Sequence, residues 1–313
     1  MVGVPLSRAR ARPHSTTRHG GIRKSMLAFL GLLVVVGAIA TGYAFGGGAF
    51  HVLFQPAELI IIFGAAIGII CLSTPPKVTK RLLARLPEVF RTSPFTRAAY
   101  MELLKLQFEV YSVIRKGGML ALENDVADPR KSDLFGKYPT FLANQNAIDF
   151  FCDSLRLLID GAETNEVEHI MQTDLTTHHE EGTVPAGVLS KVGDAMPGLG
   201  IVAAVLGIVI AMQGLDGPAS ELGEKVAAAL IGTFLGVLLS YGLFQPLAAN
   251  IEHLSRDESK YLQCIMVGLV GYAGGTSPTV AVEQARRVIY STDRPTSEEL
   301  EAALADLKGA QRG

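Results

Sequence analysis

The sequence predicts an all-α integral membrane protein with four transmembrane helices and a helical cytoplasmic domain, and three observations carry that expectation. Residues 26–45, 54–73, 195–215 and 226–249 are apolar over lengths that match a hydrocarbon core of roughly 30 Å. Hydrophobic residues make up 49% of the 313-residue chain while charged residues still reach 19%, so the spans are joined to a substantial polar part. The apolar/polar alternation of a half-buried strand does not recur. A net charge of −2 excludes a general nucleic-acid role.

Each element can be placed in order. Residues 1–25 hold six basic residues and no acidic one, and read as a disordered extension. With the apolar run after them they also have the outline of a secretory signal. The run continues through Phe45, past the length of a usual signal core. Residues 26–73 form the first two spans. Lys77, Lys80, Arg81 and Arg85 follow the second span at once, whereas residues 46–53 carry no Lys or Arg and residues 216–225 carry one. The positive-inside rule then puts the N-terminus, residues 74–194 and residues 250–313 in the cytoplasm. Residues 74–194 are too long for a bare loop and must fold. Helices are expected over 100–114, 146–158 and 163–171, the first with Glu102, Lys105 and Glu109 turned away from its apolar face. Residues 195–249 carry the last two spans, and the cytoplasmic helices are expected to form a compact bundle that prolongs them. The apolar stretch 261–274 is short for a span and reads as a helix packed in the cytoplasmic part. Thr296 with Glu299 resembles a capping box opening a helix over 297–307.

The last two spans contain no side chain that is charged at pH 7. Each has a proline, Pro197 and Pro246, at the end nearest its polar flank. Ala228, Gly232, Gly236 and Ser240 recur at every fourth position, a stripe that lets another helix approach closely. The pair reads as a wall built to hold a partner helix. Glu58 is the one carboxylate inside a span. Such a group marks an ion pathway by default, but its shallow position suggests that it reaches water and anchors the helix. If ions cross here, the deeply placed carboxylate must come from another chain. No phosphate loop, zinc spacing or nucleophile elbow is present, so neither enzymatic activity nor a cofactor is expected. Cys71, Cys152 and Cys264 are widely spaced and read as buried reduced thiols; the adjacent His178 and His179 do not share a helix face.

These residues carry a resemblance. From Met26 to about Arg294 the chain is similar to the MotA family, the larger stator subunit of the bacterial flagellar motor. The matching segments are Gln55-Pro56-Ala57-Glu58-Leu59, Gly118-Met119 through Glu123, Asp128-Pro129-Arg130, Val192-Gly193-Asp194, Pro197 through Ala204, Gly232-Thr233-Phe234-Leu235-Gly236, Tyr241-Gly242 and Pro246-Leu247-Ala248. The resemblance implies an inner-membrane homopentamer around two copies of a MotB-like subunit, which supplies one helix with an ion-binding aspartate and a peptidoglycan-gripping domain. It also implies that Arg115 and Glu123 face the rotor protein FliG, and that Pro197 and Pro246 couple ion binding to shape change. Residues 1–25 have no family counterpart, which suggests a lineage-specific tail or a start at Met26.

The ion follows from the hydroxyl count. Sodium needs several oxygen ligands in place of its water, whereas a proton needs one titrating carboxylate. No hydroxyl occurs from Pro197 to Met212, and Ala204 stands where sodium-type relatives carry threonine. Thr233 is the deepest hydroxyl of the last span. Proton transport is expected. An ExbB/TolQ-like energy-transducing subunit is the alternative, disfavoured by four spans where those relatives usually have three; a passive membrane scaffold is the other.

Overall fold

The computed structural model describes residues 21–91 and 93–310, and every regular element among them is helical. Residues 1–20 of the basic extension lie outside the described residues, and α1 (Gly21–Phe45) begins five residues before the expected Met26. A Gly47 with φ +77° and a short helical turn, Phe50–Leu53, lead into α2 (Pro56–Ser73). Pro56 sits in the first turn of α2, where its missing N–H costs nothing. α3 (Pro76–Arg85) leads through a 3₁₀ turn towards α4 (Arg97–Gly117), and α5 (Gln145–Ile159) follows. Thr96 and Asn144 cap α4 and α5 by accepting from Ala99 N and Ala147 N, at 3.3 and 3.2 Å.

The second half departs from the expected boundaries. The helix expected over 163–171 and the third span are one 49-residue helix, α6 (Thr164–Met212), about 70 Å long. It starts in a capping box between Glu163 and Glu166 and absorbs both Pro185 and Pro197. The fourth span, α7 (Ala219–Leu239), passes through a π-helical turn, Ser240–Phe244, straight into α8 (Gln245–Ala273). The stretch 261–274 is therefore mostly the far end of that helix. α9 (Pro278–Val288) and α10 (Ser297–Ala310) complete the chain. The capping box of α10 is present: Thr296 N donates to Glu299 Oε2 at 2.8 Å and Glu299 N to Thr296 Oγ1 at 3.2 Å.

Among the described residues four helices, α1, α2, α6 and α7, are long and apolar enough to cross a membrane. The far ends of α6 and α8 carry a bundle. Its core joins Leu103, Leu104 and Tyr111 of α4 to Phe135 and Phe141 of the short helical turns Phe135–Lys137 and Pro139–Leu142, to Phe151 of α5, and to Tyr261 and Leu269 of α8. Burying each such side chain contributes about 1.5–3 kcal/mol. Glu109 of α4 also turns inward, against the expected outward face, because Lys137 reaches its carboxylate at 3.0 Å. Between bundle and spans, Leu82 and Val89 pack on Ala186 and Leu189 of α6 and on Ala248 and Ile251 of α8. Cys152 and Cys264 are buried, but Cys71, expected to be buried too, is exposed near the end of α2.

Candidate functional site

Small residues bring the backbones of α6 and α7 together. Gly200, Ala203, Ala204 and Gly207 share one face of α6 because they recur at helical spacing. Opposite them lie Ala229, Gly232 and Gly236, all buried. A Cβ on Gly200 would stand 2.6 Å from Gly232 O and 3.0 Å from Gly236 Cα. One on Gly236 would stand 2.5 Å from Met196 O. Only glycine allows this approach. Of the stripe Ala228, Gly232, Gly236 and Ser240, the two glycines are thus turned towards the chain's own α6. Ala228 is half-buried at its margin and Ser240 is buried at its end. The opposite side of α6 stays open: Val202, Val205, Val209 and Met212 form an exposed apolar stripe.

Glu58 enters this contact. From the first turn of α2, where the helix dipole favours a carboxylate, it reaches the seam between α6 and α7. Its Oε1 lies 3.1 Å from where a Cβ on Gly207 would stand, and its Oε2 2.7 Å from one on Gly232. The side chain is 5% exposed and Oε2 makes no hydrogen bond within the chain. The water-reaching anchor expected from its shallow position is therefore corrected. Two glycines leave the room that the carboxylate fills. Ala204 borders the same point, its backbone N 3.1 Å from the Gly232 Cβ position. Thr233 is half-buried one residue along. Below Glu58, Ile62 and Ala66 of α2 close on Val192, Met196 and Ala203.

A second polar contact lies at the proline-bearing ends. Gln245, the first residue after the π turn, donates from Nε2 to Asp194 Oδ1 at 2.6 Å and to Ser190 O at 3.3 Å. Ser190 Oγ donates back to Gln245 Oε1 at 3.2 Å. Pro246 follows Gln245 directly and Pro197 lies three residues beyond Asp194, so the contact ties the two helices together close to both prolines. No sequence signal singled out Gln245 or Ser190. A polar residue between Phe244 and Pro246, at the edge of an apolar run, was the only trace.

Arg115 and Glu123 are far from this machinery in the chain's architecture, and both are exposed on the bundle. Arg115 closes α4 and Glu123 opens a short helix, Glu123–Ala127, after a turn that needs the φ of +77° at Gly118. Arg156 fixes that helix by donating from Nη2 to Val126 O at 2.8 Å. Within the bundle, Glu258 accepts from Asn146 Nδ2 at 2.7 Å and from Arg85 Nη2 at 3.1 Å, with His178 Nε2 3.3 Å away. Burial would raise its pKa, but the bonds from His178 and Asn146 and the Arg85 charge outweigh that and hold the carboxyl at about 2. Among the described residues no cluster of His, Cys, Asp and Glu could hold a metal ion.

Known proteins share this architecture. The motility protein A N-terminal model matches residues 29–118, and the MotA/TolQ/ExbB proton channel family model matches residues 143–264. Motility protein A of Escherichia coli is 44% identical over 288 residues, 92% of this chain and 98% of that protein. Chemotaxis protein LafT of Vibrio parahaemolyticus is 32% identical over 91% of this chain and all of its own length. In fold the chain matches MotAB of C. jejuni, with a TM-score of 0.73 at 22% identity over 87% of this chain and 99% of that one. It also matches the flagellar MotAB stator complex from Bacillus subtilis, with a TM-score of 0.67 at 22% identity over 85% and 97%. The chain belongs to the motility protein A family, a branch of the MotA/TolQ/ExbB proton channel family.

Proposed function

We propose that the chain is the larger subunit of a proton-driven flagellar stator in the bacterial inner membrane. Five copies surround two copies of a MotB-like subunit, whose single helix supplies the aspartate that takes up the proton. The observation that carries this reading is the absence of any side chain charged at pH 7 along residues 195–215 and 226–249. A path through these helices needs a titrating group from elsewhere, and the exposed stripe Val202, Val205, Val209 and Met212 suits an apolar partner helix. Residues 26–73 and 195–249 are read as the membrane part. The bundle of residues 74–194 and 250–313 and both termini are read as cytoplasmic, from the basic residues flanking α2.

Glu58, Ala204 and Thr233 lie along the ion path in this reading, and the lack of hydroxyls on α6 from Pro197 to Met212 supports protons over sodium. Neutralising the partner's aspartate changes the bend at Pro197 and Pro246, the larger subunits rotate around the smaller pair, and Arg115 and Glu123 push on FliG. Proline removes a helix hydrogen bond and leaves a place to bend. The test is Pro197→Leu, which restores that N–H. Expressed in a strain deleted for the native gene, wild type restores swimming. The variant should insert and co-purify with the partner at normal abundance yet generate little torque. Wild-type swimming would make the bend incidental, and degradation would make Pro197 a folding residue.

A further inference from the structure

We propose that the Gln245 carboxamide is a positioning group that holds the π register of the fourth spanning helix, and that this clasp opens when the stator works. The inference rests on the coupling role proposed above for Pro197 and Pro246 and adds a residue and a motion to it. The π turn Ser240–Phe244 closes with Gln245 N–H donating to Ser240 O, five residues back. It holds one residue more than an α-helical turn, so collapsing it to α would turn everything beyond it by about 100° and advance it by about 1.5 Å. Gln245 is the first residue past that step, and its direction depends on the register. In the π register it meets Ser190 and Asp194 with three hydrogen bonds. In the α register it would swing off α6 and lose all three.

The opposing surface is shaped for this contact. A Cβ on Gly193 would stand 3.1 Å from Gln245 Nε2 and 3.2 Å from Phe244 Cβ, so glycine admits both. Pro197 carries no N–H for the carbonyl of Gly193, which leaves α6 easier to bend beside the clasp. Asp194 is exposed and anionic, so its bond to Nε2 is charge-assisted and the strongest of the three. A turn of non-standard register, a proline on each helix and an amide bridging them make one device. It can hold two helix ends in one arrangement and release them to another.

The test exchanges donor and acceptor. In the full complex in cells, Gln245→Leu should cut torque by about tenfold, the population shift expected on losing a hydrogen bond to a charged group. Gln245→Glu should do the same by placing two carboxylates together. Adding Asp194→Asn to Gln245→Glu restores an amide–carboxylate pair and should recover most of the torque. Abundance and partner co-purification should stay at wild-type levels throughout. A second measurement uses Gly193→Cys with Phe244→Cys, whose Cβ atoms would be near disulfide distance. Measured against the torque of its own reduced form, the pair should stop on oxidation and return to that level on reduction, with the torque of each single cysteine variant unchanged by oxidant. Normal swimming of Gln245→Leu, no rescue in the double variant, or no loss of torque when the reduced cysteine pair is oxidised would each overturn the clasp. Failure of the wild-type chain to restore swimming would instead sink the stator reading on which the clasp rests.

Discussion

The spanning pair α6–α7 and the bundle beneath it hold together by opposite means. In the bundle, large side chains fill the space between helices: Phe135, Phe141 and Phe151 lie 5.9–6.4 Å apart, centroid to centroid, and Tyr111 stacks on Tyr272 at 4.6 Å. In the spanning pair the space has been removed, and Gly200, Gly232 and Gly236 put backbone on backbone. Water drives the first arrangement by excluding apolar surface. Lipid offers no such drive, so the second depends on close van der Waals contact. The bundle should therefore fail when side chains shrink, and the spanning pair when they grow.

The largest effect is expected in the bundle. Phe151→Ala removes a fully buried ring and should destabilise the chain by about 3–5 kcal/mol, read as lower abundance and a lower midpoint in detergent. Next comes the Glu258 cluster. Its carboxyl is held at about 2 in the folded chain against an ordinary value of 4.5. A depressed folded pKa gives stability that is present above the unfolded value and lost as pH falls through the folded one. Roughly 3 kcal/mol should thus disappear between about pH 5 and pH 2. Acid unfolding of wild type and Glu258→Gln in detergent checks this. The variant should lack that part of the acid sensitivity, and identical acid profiles would remove Glu258 from the explanation.

Gly236→Leu acts on the spanning pair instead. It forces a side chain into the α6–α7 contact, and overpacking costs about 1–3 kcal/mol. Insertion should survive, since leucine favours the membrane, while partner co-purification and swimming fail. A variant that assembles and swims normally would show that the contact is looser than the glycines indicate. The smallest effect on stability is expected at the exposed charges. Arg115→Glu and Glu123→Lys should each stay within about 0.5 kcal/mol of wild type yet weaken torque, with a compensating reversal on FliG restoring some swimming. Normal motility in both would return these residues to a solvated surface.

The same contrast explains what was legible in the sequence. Helical periodicity gave α4 and α5 to within a few residues, and Thr296 with Glu299 marked the start of α10, because these signals are local. That cytoplasmic helices prolong the third and fourth spans was legible; that each runs on through Pro197 or past Pro246 as one rod was not. A proline marks a break in sequence, but packing and a π turn carry the helix across it. The stripe on α7 was visible; that it meets α6 was not, since identical small residues would serve any neighbour. Glu58 read as shallow, whereas Gly207 and Gly232 from two other helices enclose it. The partners of Gln245 lie 51 and 55 residues away and leave no pattern.

In the proposed stator, the last two spans form a wall without a side chain charged at pH 7, and ion passage needs a second chain. Proton flux in vesicles tests it most directly, with this chain alone, with a MotB-like partner, and with that partner's aspartate changed to asparagine. The expected result is flux equal to empty vesicles in the first and third cases and clear flux in the second. Flux above the empty-vesicle control from this chain alone would contradict the claim and make Glu58 the group to explain it.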